Sequence, residues 1–181
     1  MKLHIGCGKK RFTGWVHVDA DAKVLPDVVD DIRTLASFAD GSADAIYACH
    51  VLEHVGRHEW KGVLRVWAQK LRPGGVLQVA VPDFEAAAKW YMAHGRIQDV
   101  LGLVSGGQRD ERDYHQNIFD ARSLQQGLEE AGFVDVRYWD WRTTDHADVD
   151  DYSQAYLPHM SKSGGGTLMS LNLQARLPES E

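Results

Sequence analysis

The chain is poor in cysteine and in positive charge. Its 181 residues include two cysteines and carry a formal net charge of −6. Cys7 and Cys49 are too few for a disulfide framework and lack the paired spacing of a zinc site. Binding many phosphates needs clustered lysine and arginine, so the negative net charge predicts no nucleic-acid partner. The one short basic run, at residues 9–11, is interpreted as solvated and without a role.

Long apolar segments are missing as well. No apolar run has the length of a membrane span, and strand-like sequence begins at Leu3, which leaves no room for a secretory signal. These absences predict a cytoplasmic protein without a membrane span. A hydrophobic content of 44% over 181 residues supplies one sizeable core rather than two, so we expect a single domain over residues 1–181.

Short apolar runs alternate with helical patterns along most of the chain. The runs lie at residues 3–5, 15–18, 28–29, 45–49 and 76–81. This alternation is typical of an α/β fold with a mostly parallel sheet. Glycine or polar residues follow the runs at the edge where open α/β sheets bind ligands, so the site is predicted there. The first two connections are too short for full crossover helices, which we therefore expect to be shortened or absent.

The second half of the chain adds further helix and strand signals. Trp60 and Trp67 fall at helical spacing and are expected in the core. Asp120 is predicted to cap a later helix that Gly132 terminates. Two segments after that helix, residues 133–141 and 168–177, are both predicted as strands that pair at one sheet edge.

The connection between those two strands, residues 143–166, is acidic and ends in consecutive glycines. Structureless connections of this length are uncommon inside compact domains, so we expect a lid or a disordered segment. Its acidic residues are interpreted as solvated charge, and no metal is predicted. The aromatic residues Tyr138, Trp139 and Trp141 just before it suggest a possible homodimer surface.

Three residues near the start of the chain point to a nucleoside-type ligand. Gly6 and Gly8 directly follow the first strand, where a missing Cβ lets the backbone turn tightly and approach a ligand. The plain alternative for such a glycine pair is an ordinary tight turn. Asp19, at the end of the second strand, can accept hydrogen bonds from both hydroxyls of a ribose. The third glycine and the long helix of the dinucleotide fingerprint are missing, so an NAD-dependent oxidoreductase is the less favoured interpretation.

At these residues the sequence resembles the class I S-adenosylmethionine-dependent methyltransferases, in particular short members associated with surface-polysaccharide genes. The resemblance rests on motifs in a fixed order. They are LHIGCG at 3–8, VD at 18–19, DIR at 31–33, DGSAD at 40–44, HVLEH at 50–54, LRPGG at 71–75 and EAGF at 130–133. It implies a Rossmann-like fold whose mostly parallel sheet has an antiparallel edge strand, with S-adenosylmethionine as the cofactor.

The resemblance also assigns cofactor contacts to particular residues. Gly6, Cys7 and Gly8 would wrap the methionine part of the cofactor, and Asp19 would hold its ribose. Asp31 and Ile32 are expected to flank the adenine. The sulfonium group is expected to face His50, Val51 and Leu52.

Methyl transfer to a hydroxyl also needs a base, and histidine is the side chain best matched to neutral pH. His115 is the first choice for this base, although it could also be an ordinary hydrogen-bonded loop residue. His50 is the second candidate, or it only shapes the pocket. Asp83 follows a strand and could bind the acceptor hydroxyl, or it could simply cap the next helix.

The predicted function is O-methylation of a sugar or another small polar acceptor, which would be the binding partner. A second hypothesis is a non-catalytic module that binds the cofactor or S-adenosylhomocysteine as a scaffold. A loop that carries His115 and a segment able to close over the site both favour the enzyme, since they would orient an acceptor and exclude water.

Overall fold

The computed structural model describes residues 1–160 and 165–179. Seven strands form one sheet in the order β3-β2-β1-β4-β5-β9-β6. Their bounds are Lys2–Ile5 (β1), Val16–Asp19 (β2), Val28–Val29 (β3), Ala43–Cys49 (β4), Leu71–Pro82 (β5), Val134–Tyr138 (β6) and Ser170–Arg176 (β9). The first five strands pair in parallel, while β9 is antiparallel to both β5 and β6. Two short strands, Tyr156–Leu157 (β7) and Thr167–Leu168 (β8), pair separately.

Four α-helices within the described ranges accompany the sheet. They are Trp60–Lys70 (α1), Phe84–His94 (α2), Leu101–Ser105 (α3) and Ala121–Glu130 (α4). Single 3₁₀ turns lie at Ala22–Val24, Leu52–His54, Ile97–Asp99, Trp141–Thr143 and Tyr152–Gln154. Among the described residues, no helix is long and apolar enough to cross a membrane.

This architecture confirms the predicted Rossmann-like sheet with its antiparallel strand. The first helices are indeed reduced: within the described residues 6–15 the chain forms only turns, and the β2–β3 connection holds one 3₁₀ turn. Asp120 caps α4, since its Oδ1 accepts a hydrogen bond of 2.7 Å from the Ser123 amide, and Gly132 follows the helix with a φ of 94°.

One face of the sheet is covered by α1 and α4. Trp67 is fully buried and Trp60 is 7% exposed, so both tryptophans lie in the core as predicted. The Trp60 ring meets Phe119 edge-on, with ring centroids 5.1 Å apart. The same indole lies over Gly127 of α4, where a side chain would have no room.

Gly127→Ala is expected to lower the free energy of unfolding. An ideal Cβ at this position would lie 2.2 Å from both Cζ3 and Cη2 of Trp60. Overpacking costs about 1–3 kcal/mol and the gain in helix propensity offsets about 1 kcal/mol of this, so a net loss of up to about 2 kcal/mol is expected. Urea unfolding of the variant and the wild type measures this loss in the free energy of unfolding. Gly62→Ala in α1 is the control, because nothing lies within 4 Å of its Cβ position, and it should be neutral or stabilising. Equal effects of the two substitutions would contradict the packing argument.

The opposite face of the sheet, where the reduced first helices leave room, is covered by an aromatic cluster. The cluster combines residues of β1 and β4, of the β1–β2 connection and of the segment after β6. Its members are His4, Tyr47, Phe12, Trp15, Trp139 and His146. Phe12 is sandwiched between the rings of His4 and His146, with centroid distances of 4.2 and 4.1 Å. The segment that follows β6 therefore takes the place of the missing crossover helices.

The expectation of a disordered segment at 143–166 is wrong for its described part. Residues 151, 153, 154, 155 and 157 are buried. The Tyr47 hydroxyl donates a hydrogen bond of 2.6 Å to Asp151 Oδ2, and Ser153 donates from both its amide and its hydroxyl to Asp151 Oδ1. Residues 161–164 lie outside the described residues. Whether this segment moves as a lid stays a prediction.

The aromatic residues suggested as a homodimer surface separate in the fold. Trp139 is buried and donates its indole N–H to the Leu173 carbonyl. Trp141 is half-buried and donates to the Tyr156 hydroxyl, whereas Tyr138 is 69% exposed. Association into a homodimer stays a prediction, with only Tyr138 of the three fully presented to solvent.

Candidate functional site

The glycine loop turns directly after β1. Gly6 and Gly8 both have positive φ angles, of 62° and 50°. The Cys7 amide between them donates to the Val18 carbonyl at 3.1 Å, which ties the loop to β2. A Cβ on Gly6 would collide with Val51 after β4, whereas the Cβ position of Gly8 faces open space. The loop thus leaves an open cradle at Gly8, which a side chain would partly fill.

Asp19 lies beside that cradle at the end of β2. Its Oδ2 accepts a hydrogen bond of 2.8 Å from the Gly8 amide, and its Oδ1 accepts one of 2.8 Å from the Asp21 amide. Each oxygen of an ionised carboxylate has a second lone pair, so both remain able to accept from a ligand. The half-buried position of Asp19 and these fixed oxygens fit a pair of vicinal ribose hydroxyls.

Arg11 has a structural role, so the interpretation of residues 9–11 as merely solvated is wrong for this residue. Its guanidinium donates to the carbonyls of Gly8 and Lys10 at 2.9 and 2.6 Å. It also donates to the carbonyls of Val24 and Leu25 at 2.6 and 2.9 Å. One side chain thereby joins the glycine loop to the turn after β2, in a region where a helix would otherwise hold the backbone.

The predicted adenine-side residues lie at the end of β3, next to Asp19. The Asp30 amide donates to the Asp19 carbonyl at 3.1 Å, which sets the two strand ends side by side. Asp31 Oδ1 accepts from the Arg33 amide, and the Ile32 carbonyl accepts from the Trp67 indole at 2.8 Å. Both predicted residues are therefore held at the same sheet edge as Asp19.

The residues after β4 form the third part of this edge. His50 has a φ of 51°, a left-handed conformation that non-glycine residues seldom adopt and that is often found at functional sites. Val51 is half-buried against the glycine loop, while Leu52 is fully buried in the main core. The Leu52 side chain is thus committed to packing, and only its backbone can face a ligand.

The orientation of the His50 ring follows from a chain of hydrogen bonds. The Asn172 amide nitrogen donates to the Ser153 carbonyl, so its oxygen accepts from the Ser170 hydroxyl at 2.8 Å. Ser170 Oγ has thereby used its only hydrogen and accepts from His50 Nε2, 2.9 Å away. The Nδ1 atom of His50 then faces Glu53, with 3.4 Å between Nδ1 and Oε1.

Glu53 was not predicted as a site residue, yet it occupies the centre of the site. It lies in the 3₁₀ turn after β4, is 1% exposed, and its carbonyl accepts from the amides of Gln116 and Asn117. Burial alone would raise the pKa of the Glu53 carboxyl, but the proximity and charge of His50 outweigh burial and hold this pKa below its usual value. The sequence feature that could have pointed to Glu53 is its place, with His54, between the apolar residues Leu52 and Val55.

The two hydrogen bonds to the Glu53 carbonyl bring His115 into the site. His115 Nε2 lies 3.9 Å from Glu53 Oε1, and its ring meets that of His54 edge-on with centroids 5.0 Å apart. Burial lowers the pKa of the His115 imidazole. Gly106 closes the loop that carries His115, because a Cβ there would lie 2.2 Å from the Asp113 carbonyl.

A cavity of about 380 Å³ opens beside these residues, beyond the ends of β4 and β5. Its polar lining residues are His50, Glu53, His54, Gln98, Asp99, Arg109, Asp113, His115 and Tyr152. A volume of this size is typical of small-molecule sites. His50 joins the cavity to the edge that carries the glycine loop and Asp19.

Asp83 does not line this cavity. Its Oδ1 accepts from the amides of Glu85 and Ala86 at 2.9 and 3.2 Å, which caps α2. Burial raises the pKa of this carboxyl. The capping alternative describes its geometry, and the binding of an acceptor hydroxyl by Asp83 stays a prediction. Burial raises the pKa of the Cys7 thiol to about 11, so this thiol is protonated at neutral pH. Cys7 therefore does not act as a nucleophile.

The sequence model of a family described as "Methyltransferase domain" matches residues 5–138 of the chain. None of the curated proteins matches the chain in sequence. A SAM-dependent methyltransferase structure from Archaeoglobus fulgidus is similar, with a TM-score of 0.59 and 16% identity over 97% of this chain and 85% of that one. A SAM-dependent methyltransferase from Methanosarcina mazei gives 0.59 and 14%, over 99% and 92% of the two chains.

A third similar structure is 1,6-didemethyltoxoflavin-N1-methyltransferase from Burkholderia thailandensis, with bound 1,6-didemethyltoxoflavin and S-adenosylhomocysteine. Its TM-score is 0.58 and its identity 16%, over 98% of this chain and 71% of that one. The family match confirms the prediction of a methyltransferase, and together with the similar structures it supports S-adenosylmethionine as the cofactor. The chain belongs to the methyltransferase-domain family and has the fold of the class I S-adenosylmethionine-dependent methyltransferases.

Proposed function

We propose that the protein transfers a methyl group from S-adenosylmethionine to a hydroxyl of a sugar or another small polar acceptor. The observation that carries this proposal is the cavity of about 380 Å³ that meets the cofactor edge at His50. An acceptor in this cavity would lie on the sulfonium side of a cofactor held by the glycine loop. The transfer needs the acceptor oxygen, the methyl carbon and the sulfur close to collinear, and such an arrangement of sites permits it.

The proposed cofactor contacts agree with the geometry of this sheet edge. Gly6, Cys7 and Gly8 leave an open cradle for the methionine part, and Asp19 presents two oxygens for the ribose hydroxyls. Asp31 and Ile32 lie next to Asp19 on the adenine side. The described residues 6–15 form turns rather than a helix, so no helix amino end directly follows the glycine loop to hold the pyrophosphate of NAD.

The cavity lining suits a polyhydroxylated acceptor. Arg109 and Asp113 form an ion pair of 2.6 Å, and Asp99 accepts from the Trp90 indole, so these charged groups are already positioned. The Tyr152 ring is 53% exposed, and its centroid lies 5.4 Å from that of His50. An exposed aromatic face beside polar groups can pack on the C–H face of a sugar while hydroxyls bind the polar groups.

Methyl transfer to a hydroxyl also needs a base, and the histidines of the cavity are candidates for it. The bound cofactor supplies a methyl group on a positively charged sulfur: the acceptor oxygen bonds to the methyl carbon, the carbon–sulfur bond breaks with its electrons left on sulfur, and the hydroxyl proton must leave. His115 and His50 both present a ring nitrogen to the cavity, and we propose that one of them accepts this proton. Asp83, which caps α2, is not assigned to this step.

Isothermal titration of S-adenosylhomocysteine into the purified protein tests the cofactor site. Micromolar binding is expected for the wild type, and Asp19→Ala should weaken it by about 100-fold, because two charge-assisted hydrogen bonds are lost. Asp40→Ala is a matched control: this carboxylate is exposed, pairs with Lys70, and precedes the amino end of β4 at the opposite edge. No binding by the wild type, or equal loss in both variants, would overturn the cofactor assignment.

An acceptor screen then tests the reaction itself. Formation of S-adenosylhomocysteine is measured with sugars and nucleotide sugars, and turnover is expected with at least one polyhydroxylated acceptor. Cofactor binding without any turnover would instead favour the scaffold hypothesis, in which the site binds S-adenosylmethionine but does no chemistry.

A further inference from the structure

The Glu53 carboxylate is buried without a hydrogen-bond donor. Its side chain is 1% exposed, and neither oxygen accepts a hydrogen bond from the described residues; the imidazoles of His50 and His115 lie 3.4 and 3.9 Å from Oε1. Burying an ionised carboxylate is costly unless it is paired with a charge, hydrogen-bonded or bound to a metal. This residue lines the acceptor cavity. A positively charged species at this point would satisfy the carboxylate oxygens.

Two neighbouring imidazoles turn their N–H groups away from that carboxylate. His54 Nδ1 lies 3.0 Å from the Tyr114 carbonyl, and His115 Nδ1 lies 3.0 Å from the Leu103 carbonyl. A carbonyl only accepts, so in the neutral rings Nδ1 carries the hydrogen and Nε2 carries a lone pair. Metal-binding histidines are oriented in this way, with the second ring nitrogen donating to a carbonyl or a carboxylate.

The three side chains converge on one point. Glu53, His54 and His115 each offer one ligand atom, and these atoms lie within 4.8 Å of one another. A tetrahedral zinc ion with bonds of about 2.0–2.2 Å would hold its ligand atoms roughly 3.4 Å apart, so binding requires them to close by an ångström or so. Two imidazoles and a carboxylate leave a further coordination position open, as in catalytic zinc sites.

We propose that Glu53, His54 and His115 bind one divalent transition-metal ion of the zinc type at the floor of the acceptor cavity. Mixed nitrogen and oxygen ligands suit such ions better than calcium or magnesium, which prefer oxygen alone. The site lies apart from the acidic segment at 145–151. There Asp145 pairs with Lys2, and Asp151 accepts from Tyr47, so both carboxylates already have partners.

The open position gives the ion a use in methyl transfer. An acceptor hydroxyl bound there would lose its proton more easily, because the cation stabilises the oxygen anion. The acceptor oxygen would then form its bond to the methyl carbon as the carbon–sulfur bond breaks, with the hydroxyl proton released to water. This use rests on the function proposed above, whereas metal binding itself does not.

Titration of Zn²⁺ into the metal-stripped full chain tests the site by calorimetry, and the visible absorption of Co²⁺ reports its coordination. One ion per chain is expected. Glu53→Gln and His54→Gln should each weaken binding by about 100-fold, since each removes one of three ligands. His58→Gln is the matched control, because this exposed histidine contacts only Arg57 in the described structure, and it should bind as the wild type does.

The outcomes separate the metal site from the proposed function. Absence of stoichiometric binding by the wild type, or unchanged binding by both ligand variants, overturns the metal site. If circular dichroism shows that Glu53→Gln does not fold, His54→Gln decides, since that side chain is only half-buried. S-adenosylhomocysteine titrated into the same proteins reports the cofactor site separately, so metal binding without cofactor binding would refute the proposed function and leave the metal site standing.

Discussion

Lowering the pH from 7 to 4.5 is expected to reduce the free energy of unfolding by about 2.5 kcal/mol through His4 alone. This side chain is 2% exposed on the aromatic face of the sheet, where it stacks on Phe12. Burial, reinforced by the charges of His17, His146 and Arg11, lowers the pKa of His4 from 6.5 to about 3. The folded protein therefore resists a proton that the unfolded chain accepts.

The sign of the effect follows from this lowered pKa. Above pH 6.5 His4 is neutral in both states and does not affect stability. Between pH 6.5 and about 3, the unfolded state binds a proton that the folded state does not, so stability falls by about 1.4 kcal/mol per pH unit. The loss ends below the folded-state pKa, where both states are protonated.

His4→Phe separates this residue from the other acid-sensitive groups. Phenylalanine can keep the stack on Phe12 but cannot titrate, so the variant should retain about 2.5 kcal/mol more of its pH 7 stability at pH 4.5 than the wild type does. Urea unfolding at the two pH values measures the difference, and any constant packing cost of the larger ring cancels. His58→Phe, at an exposed histidine, should follow the wild type. An acid loss in His4→Phe as large as that of the wild type would refute the assignment.

The parts of the fold that the sequence predicted are those set by local patterns. Apolar runs with period two became β1, β2, β4 and β9, and Asp120 and Gly132 bound α4 through capping and a positive φ. The segment at 143–160 was misjudged because its apolar residues are few and irregularly spaced. Its burial depends on partners such as Tyr47, which lies 104 positions from Asp151 in the sequence, and no local pattern reports such a pairing.

The candidate site likewise contains residues that local sequence patterns predict and residues that they do not. Gly6, Gly8 and Asp19 were predictable because each follows a strand end, where backbone geometry and carboxylate chemistry limit the options. Arg11 and Glu53 were missed, since a basic turn and a single acid in an apolar stretch have no chemical signature by themselves. Glu53 gains its significance from His115, which lies on a loop distant in sequence whose Gln116 and Asn117 amides donate to the Glu53 carbonyl.

Gly6→Ala is expected to lower the free energy of unfolding by about 2–5 kcal/mol, through two separable costs. The first is the positive φ of 62°, which costs an L-residue about 1–2 kcal/mol. The second is overpacking, because a Cβ would lie 2.4 Å from Cγ2 and 2.7 Å from Cβ of Val51. Val51 is β-branched and restricted at χ1, so it cannot rotate away easily, and the clash adds about 1–3 kcal/mol.

Gly8→Ala provides the matched control two residues away. Its φ is 50°, but nothing lies within 4 Å of its Cβ position, so only the backbone cost of about 1–2 kcal/mol applies. Gly6→Ala combined with Val51→Ala should lose less stability than the sum of the two single variants, because the contacts with both Cγ atoms of Val51 disappear and only the contact with its Cβ, at 2.7 Å, remains. Urea unfolding of the wild type and the four variants measures each term, and a Gly6→Ala variant no less stable than Gly8→Ala would rule out the clash. S-adenosylhomocysteine titration gives the complementary result: a folded Gly8→Ala variant should bind poorly, since the new methyl group enters the open cradle that the proposed cofactor site uses.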